Sequence, residues 1–288
     1  MKEPLFTGVC TALVTPFLDG KVNYPMLEQL LRRQMDAGVR AVVIAGTTGE
    51  SPTLSDEEKL TMFRRAKDYV GEEMQIFAET GSNDTRHAVA LSVAAEKCGV
   101  DGLLVVSPYY NKATPSGLEA HYRAIASAVK IPVILYNVPS RTGVDIPVEV
   151  YQALATVPNI LGVKEASTDM GKILRIRAKC PLDFQIWSGN DELTVPVLAL
   201  GGAGVISVVS NILPEQMRYL AEAALDGDFD TAAALQCSLL PWTEFLFCEV
   251  NPIPVKAALK GFGFDCGPCR LPLSPLSPAH QKRLDTML

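Results

Sequence analysis

Eight short runs of β-branched and other apolar residues recur along this 288-residue chain at intervals of roughly 30 residues, each followed by a Gly/Ser/Thr/Pro turn and an amphipathic stretch. The runs are Val9–Val14, Ala41–Ala45, Gln75–Glu79, Gly102–Val106, Pro132–Tyr136, Ile160–Lys164, Phe184–Trp187 and Gly204–Val208. Within them the apolar residues are continuous rather than alternating with polar ones, as expected of strands covered by helices. A repeat of this kind leaves two architectures, a closed barrel and an open doubly wound sheet. The open sheet calls for a Gly-rich phosphate turn after its first strand, and Val14-Thr15-Pro16-Phe17 is no such turn. The pattern therefore predicts an α/β fold, a (β/α)8 TIM barrel.

Helix signals sit between the runs. Pro25 opens one helix, Leu27, Leu30, Leu31 and Met35 share a face, and Gly38 stops it. Ser55 with Glu58 and Ser116 with Glu119 have capping-box spacing, and Gly71 and Gly99 close two further helices. Beyond the eighth run, Glu215–Leu225, Asp228–Phe247 and Pro254–Gly261 have helical periodicity, and a Pro-rich stretch, 271–275, leads to a last short helix. The expected organisation is a barrel over residues 1–213 that carries the active site, followed by a C-terminal α-helical extension over 214–288.

Composition narrows the partners. A net charge of -6 with no Lys/Arg block argues against nucleic acid or an anionic membrane. The N-terminus, Met1-Lys2-Glu3-Pro4-Leu5-Phe6, has no apolar signal core, and the most apolar stretch, Leu193 to Val209, is interrupted by Pro196, Gly201, Gly202 and Gly204. Seven irregularly spaced cysteines fit reduced thiols, so a cytoplasmic location is expected. No metal site is expected either. Cys266-Gly267-Pro268-Cys269 lacks a second ligand pair, and His87, His121 and His280 are dispersed.

In such a barrel the chemistry sits at the C-terminal ends of the strands. Lys164 ends one apolar run and precedes Glu165. A lysine buried there must be paired or must give up its proton. Two readings stand: an ion pair with Glu165 or another acid, or a neutral amine that attacks a carbonyl carbon. Tyr136 ends the preceding run, where its phenol is either a proton shuttle or a core tyrosine bonded to backbone. Gly46-Thr47-Thr48-Gly49 offers hydroxyls and N–H groups to a carboxylate, or is a plain turn; it lacks the phosphate-loop pattern. Arg141 is either a bidentate carboxylate ligand or a surface arginine.

Several longer stretches occur together and in order: Gly8-Val9-Cys10-Thr11-Ala12-Leu13-Val14-Thr15-Pro16-Phe17, Gly46-Thr47-Thr48-Gly49-Glu50-Ser51, Pro108-Tyr109-Tyr110-Asn111, Tyr136-Asn137-Val138-Pro139-Ser140-Arg141-Thr142-Gly143, Gly162-Val163-Lys164-Glu165-Ala166 and Asn251-Pro252-Ile253-Pro254-Val255-Lys256. In these the chain resembles the dihydrodipicolinate synthase family of the pyruvate-dependent class I lyase–aldolase superfamily, to which N-acetylneuraminate lyase also belongs. The resemblance covers nearly the whole chain. It implies that Lys164 forms a Schiff base with pyruvate, and that Tyr136, Thr47 and Tyr110 form a hydroxyl relay, with Tyr110 reaching into a neighbouring subunit's site. It implies that Thr48 holds the pyruvate carboxylate and Arg141 the carboxylate of L-aspartate 4-semialdehyde, with Gly189 and Ile206 giving backbone contacts near the ketimine. The implied activity is 4-hydroxy-tetrahydrodipicolinate synthesis, in the diaminopimelate route to lysine, by a homotetramer built from two tight dimers. No cofactor is implied beyond the covalent pyruvate ketimine. The competing readings are a Schiff-base lyase or aldolase acting on sugar acids, and a non-catalytic small-molecule sensor. Thr48, Tyr110 and Arg141 together favour a small amino-acid aldehyde over a sugar acid, and a sensor has no need of the Lys164–Tyr136–Thr47 set.

The resemblance also marks Ser51, Asn83, His87 and Tyr109 as a candidate lysine-effector site. In lysine-inhibited members a glutamate and a histidine help hold the effector; here His87 and Lys59 take their places. A cationic Lys59 repels a lysine ligand, so weak or absent feedback inhibition is expected.

Overall fold

The eight runs pair in parallel and in chain order, and the first pairs with both the second and the eighth, so the sheet closes on itself. The computed structural model describes residues 4–288; Met1, Lys2 and Glu3, read above as part of a stretch with no apolar signal core, lie outside them. The strands are β1 (Gly8–Ala12), β2 (Ala41–Ile44), β3 (Gln75–Glu79), β4 (Gly102–Val106), β5 (Val133–Asn137), β6 (Ile160–Glu165), β7 (Gln185–Ser188) and β8 (Gly204–Ser207). This is the (β/α)8 barrel that the repeat predicts, with strand bounds within two residues of expectation.

Side-chain alternation sorts each apolar run into two cores. On β2, Val42 and Ile44 pack outward against the helices, while Ala41 and Val43 point into the barrel. Phe6, just before β1, closes the N-terminal end of the barrel by stacking on Trp187 with ring centres 5.0 Å apart, and its carbonyl accepts from Trp187 Nε1 at 3.2 Å. The opposite end is left for the loops that carry polar side chains.

Caps explain the helix starts. Asn23 caps Tyr24–Asp36, with Pro25 in its first turn, and Ser55 and Glu58 form a full capping box on Asp56–Val70. The Ser116–Glu119 box does not form. Thr114 is the cap of Pro115–Ala128, because its hydroxyl accepts from Gly117 N at 3.2 Å and Pro115 fits the first helical position, leaving Ser116 inside the helix.

After β8 come Pro214–Leu225, Phe229–Leu246, Ile253–Gly261 and Pro278–Met287. Helix Pro214–Leu225, counted with the extension in the sequence reading, packs against β1 and against Thr194–Ala199, and so belongs to the outer ring. The last segment returns to the open end of the barrel, where Phe17 N donates to Cys266 O at 2.8 Å. Among the described residues no helix is long and apolar enough to cross a membrane.

Candidate active site

Lys164 and Tyr136 are register partners on β6 and β5. Both side chains are buried, and Lys164 Nζ lies 4.3 Å from the centre of the Tyr136 ring. Among the described residues no carboxylate pairs with Lys164. The ion pair with Glu165 does not form because the two side chains leave the strand on opposite faces. Glu165 points outward, accepting from Asn137 Nδ2 at 2.7 Å and Tyr151 Oη at 3.0 Å and pairing with Lys172 at 3.5 Å. Lys172 in turn pairs with Asp145.

The charge of Lys164 is felt at a distance by three buried acids. Glu79 is pushed up to about 7 by burial, against N–H donation from Val106 and Gly81 and the charges of Lys164 and Lys59. Its Oε1 accepts from Gly81 N at 3.0 Å and Val106 N at 3.2 Å, while Oε2 is buried without a partner. Asp191 is likewise pushed up by burial, opposed by hydrogen bonds from Ser207 and the N–H groups of Val208 and Val209, and by Lys164. Burial raises the Cys10 thiol, again against Lys164. Buried and without a carboxylate partner among the described residues, the Lys164 amine is available to a carbonyl carbon.

The loop after β2 is bracketed by two residues in left-handed backbone, Ala45 at φ 56° and Glu50 at φ 58°. That bend is costly for residues with a Cβ, and the C-terminal segment braces it. Lys256 Nζ donates to Glu50 Oε1 at 2.9 Å and Arg270 N to Glu50 Oε2 at 2.8 Å, with the Lys256–Glu50 pair almost wholly buried. Asn251 Nδ2 donates to Thr48 Oγ1 at 2.9 Å. Thr48 is thereby buried, whereas Thr47 faces a cavity of about 710 Å³.

That cavity runs from Thr47 past Tyr110, Val138 and Arg141 to Ser51, Lys59, Glu79, His87 and Tyr109. Arg141 is exposed at its mouth, held by one hydrogen bond from Nη2 to Asn251 O at 3.2 Å. Tyr110 is 89 % exposed and left-handed at φ 69°. Gly189 closes in on β6, where its N donates to Glu165 O at 2.7 Å and an added Cβ would come 2.5 Å from Ala166 Cβ. Ile206 is buried on β8 beside Cys10. At the far end of the cavity His87 Nε2 meets Asp56 Oδ2 at 2.8 Å, and the carbonyl of Asn83 accepts from Asn111 Nδ2 at 3.0 Å. Burial lowers Lys59 against the pull of Glu79 and Asp56.

The structure therefore brings Lys164 and Tyr136 together and sets Thr47, Tyr110 and Arg141 around one opening. Within this chain it does not bond Tyr110 to Tyr136 or Thr47. Sequence reasoning passed over Glu79, although its signal matches that of Lys164: an ionisable residue ending an apolar run, Ile76-Phe77-Ala78. The Asn251 contacts had no local signal, because their partners lie 203 and 110 residues away. Among the described residues no group of three or more His, Cys, Asp or Glu side chains is placed to hold a metal ion.

Comparison with known proteins adds a further finding. The profile of the Dihydrodipicolinate synthetase family matches residues 5–288. The chain is 46 % identical over 278 residues to a 4-hydroxy-tetrahydrodipicolinate synthase of Acetivibrio thermocellus, covering 96 % of this chain and 94 % of that one. It superposes with a TM-score of 0.97 on the crystal structure of dihydrodipicolinate synthase from Aquifex aeolicus, at 42 % identity and covering 98 % of this chain and 97 % of that one. It superposes at 0.96, with 41 % identity and 99 % and 97 % coverage, on the crystal structure of the Cyanidioschyzon merolae enzyme with lysine bound.

Proposed function

As this chain belongs to the dihydrodipicolinate synthetase family, we propose that its strand-end site performs the family's condensation with residues in the following roles. The enzyme is a 4-hydroxy-tetrahydrodipicolinate synthase, a lyase that joins pyruvate to L-aspartate 4-semialdehyde in the diaminopimelate route to lysine. It needs no external cofactor, because pyruvate bound covalently to a lysine supplies the electron sink. The observation that carries the assignment of residues is the buried, unpaired Lys164 with its Nζ 4.3 Å from the Tyr136 ring.

In this reading the Lys164 amine adds to C2 of pyruvate, and loss of water leaves an iminium. Thr48 receives the pyruvate carboxylate and orients the keto group toward Lys164. Loss of a C3 proton gives the enamine, whose carbon attacks the aldehyde of the second substrate and forms the new C–C bond. The substrate amino group then attacks the imine carbon, closes the ring and releases Lys164. The Tyr136 phenol moves protons into and out of the carbinolamine, with Thr47 and Tyr110 passing them onward. Arg141 at the mouth takes the carboxylate of the aldehyde substrate, and Gly189 and Ile206 shape the wall near the ketimine.

The exposure of Tyr110 supports a role in trans. A large aromatic that is 89 % exposed at the rim of a catalytic cavity fits a second copy of the chain. The assembly proposed is a homotetramer of two tight dimers. Its place is the cytoplasm, consistent with seven free cysteines and with thiols such as Cys266 and Cys269 pushed up to about 12, chiefly by burial.

Borohydride reduction in the presence of pyruvate tests the reading. A covalent adduct mapped to Lys164 is expected, together with turnover in a coupled assay with aspartate semialdehyde. An adduct on another residue, or none, refutes the assignment of Lys164.

A further inference from the structure

Thr48 and Arg141 stand on different barrel loops, after β2 and after β5, yet they share one neighbour. Asn251 donates its Nδ2 to Thr48 Oγ1 at 2.9 Å, and its backbone carbonyl accepts from Arg141 Nη2 at 3.2 Å. Among the described residues these are the only side-chain hydrogen bonds that Thr48 and Arg141 make. Asn251 is 5 % exposed and lies between helices Phe229–Leu246 and Ile253–Gly261, in a segment fixed to the same loop one turn later by the Lys256–Glu50 pair. The carboxamide Oδ1 is buried with no partner. An unsatisfied buried acceptor destabilises a fold, so packing alone gives no reason for an asparagine here.

We propose that Asn251 is a positioning residue whose carboxamide holds the Thr48 hydroxyl for the pyruvate carboxylate, while its main-chain carbonyl orients Arg141 on the facing loop. The proposal rests on the roles assigned above to Thr48 and Arg141. Its two contacts are chemically separate, one from the side chain and one from the main chain, so they can be tested apart. Removing the carboxamide frees the Thr48 hydroxyl to rotate, whereas the carbonyl that orients Arg141 survives any substitution. The effect of a side-chain change should therefore fall on the pyruvate end of the site.

Steady-state kinetics and borohydride trapping on the full chain test this. For Asn251→Ala the KM for pyruvate is expected to rise about tenfold, with the KM for the aldehyde and kcat each within about threefold of the parent. Thr48→Val is expected to reproduce the rise, and the double variant to add nothing further, because the carboxamide acts through the threonine. Equal losses at both substrates, a fall in kcat alone, or additive effects in the double variant overturn the proposal. If Asn251→Ala does not fold, Asn251→Asp carries the test. Its near-isosteric carboxylate still bonds the Thr48 hydroxyl but places a negative charge beside the pyruvate carboxylate. The pyruvate KM should then rise by more than about tenfold, and an unchanged value overturns the proposal. If the parent itself fails to trap pyruvate on Lys164, the reading of the whole site falls and this proposal with it. Trapping in the parent with an unmoved pyruvate KM in the variants counts against Asn251 alone.

Discussion

Lys164 and Glu165 are adjacent in the chain and face opposite sides of the barrel wall. Glu165 lies outside it, bonded to Asn137 and Tyr151 and paired with Lys172, while Lys164 lies inside, over the Tyr136 ring. Strand geometry makes this unavoidable, since consecutive side chains point apart. The most obvious counter-ion for the lysine is thereby spent elsewhere, and the amine is left free for chemistry.

The Tyr136 ring centre lies 4.3 Å from Lys164 Nζ, and its phenol is a group that can transfer a proton. Tyr136→Phe keeps the ring under Lys164 and removes only the hydroxyl. A fall in kcat of about 10²- to 10⁴-fold is expected, with the thermal midpoint close to that of the parent. A variant that retains more than about a tenth of kcat would take Tyr136 out of the relay.

Glu79 gives stability a pH signature of its own. Its folded value, about 7, lies above the ordinary 4.5, so the folded state binds this proton more tightly than the unfolded chain. The stability it contributes is complete below 4.5 and is lost as pH rises through 7. Glu79→Gln keeps an acceptor for the Gly81 and Val106 N–H groups and abolishes that loss. Unfolding curves should nearly coincide for the two proteins below about pH 5, with the variant more stable by roughly 3 kcal/mol above about pH 8. Parallel pH dependence of the two proteins would count against this carboxyl as the source.

Lys59 lines the cavity that Thr47, Tyr110 and Arg141 also line; its side chain is largely buried, and among the described residues no partner lies within bonding distance. A lysine side chain entering there meets a resident cation. L-lysine at about 1 mM should change the rate less than twofold. Because burial lowers Lys59, the repulsion should weaken as the pH is raised and Lys59 begins to lose its proton. Strong inhibition by millimolar L-lysine at neutral pH would refute this reading.

The trans role of Tyr110 can be tested by mixing inactive parents. Lys164→Ala and Tyr110→Phe each spoil a different group. If Tyr110 serves the neighbouring subunit, a mixed dimer contains one site with both native groups. Co-refolding the two variants at equal amounts should then restore roughly one quarter of the native sites. Activity that never exceeds the average of the parents would place Tyr110 in the site of its own chain.

Much of this was legible from residue order alone. The periodic recurrence of continuous apolar runs specified a barrel because strands covered by helices have no polar face to alternate. The positions of Lys164, Tyr136 and the Thr47–Thr48 loop followed from where those runs end. The local signals that misled were those with a close competitor, such as Ser116, which lost the cap to Thr114 because Pro115 suits the first helical position. Tertiary structure alone decided whom each polar side chain meets. The pairing of Glu165 outward, the gathering of Glu79, Asp191 and Cys10 around the charge of Lys164, and the bridge from Asn251 to Thr48 and Arg141 all join residues on different strands, helices or loops. Hydrophobic periodicity is a local property of the backbone. Ion pairs and hydrogen bonds depend on distances that exist only once the barrel has closed.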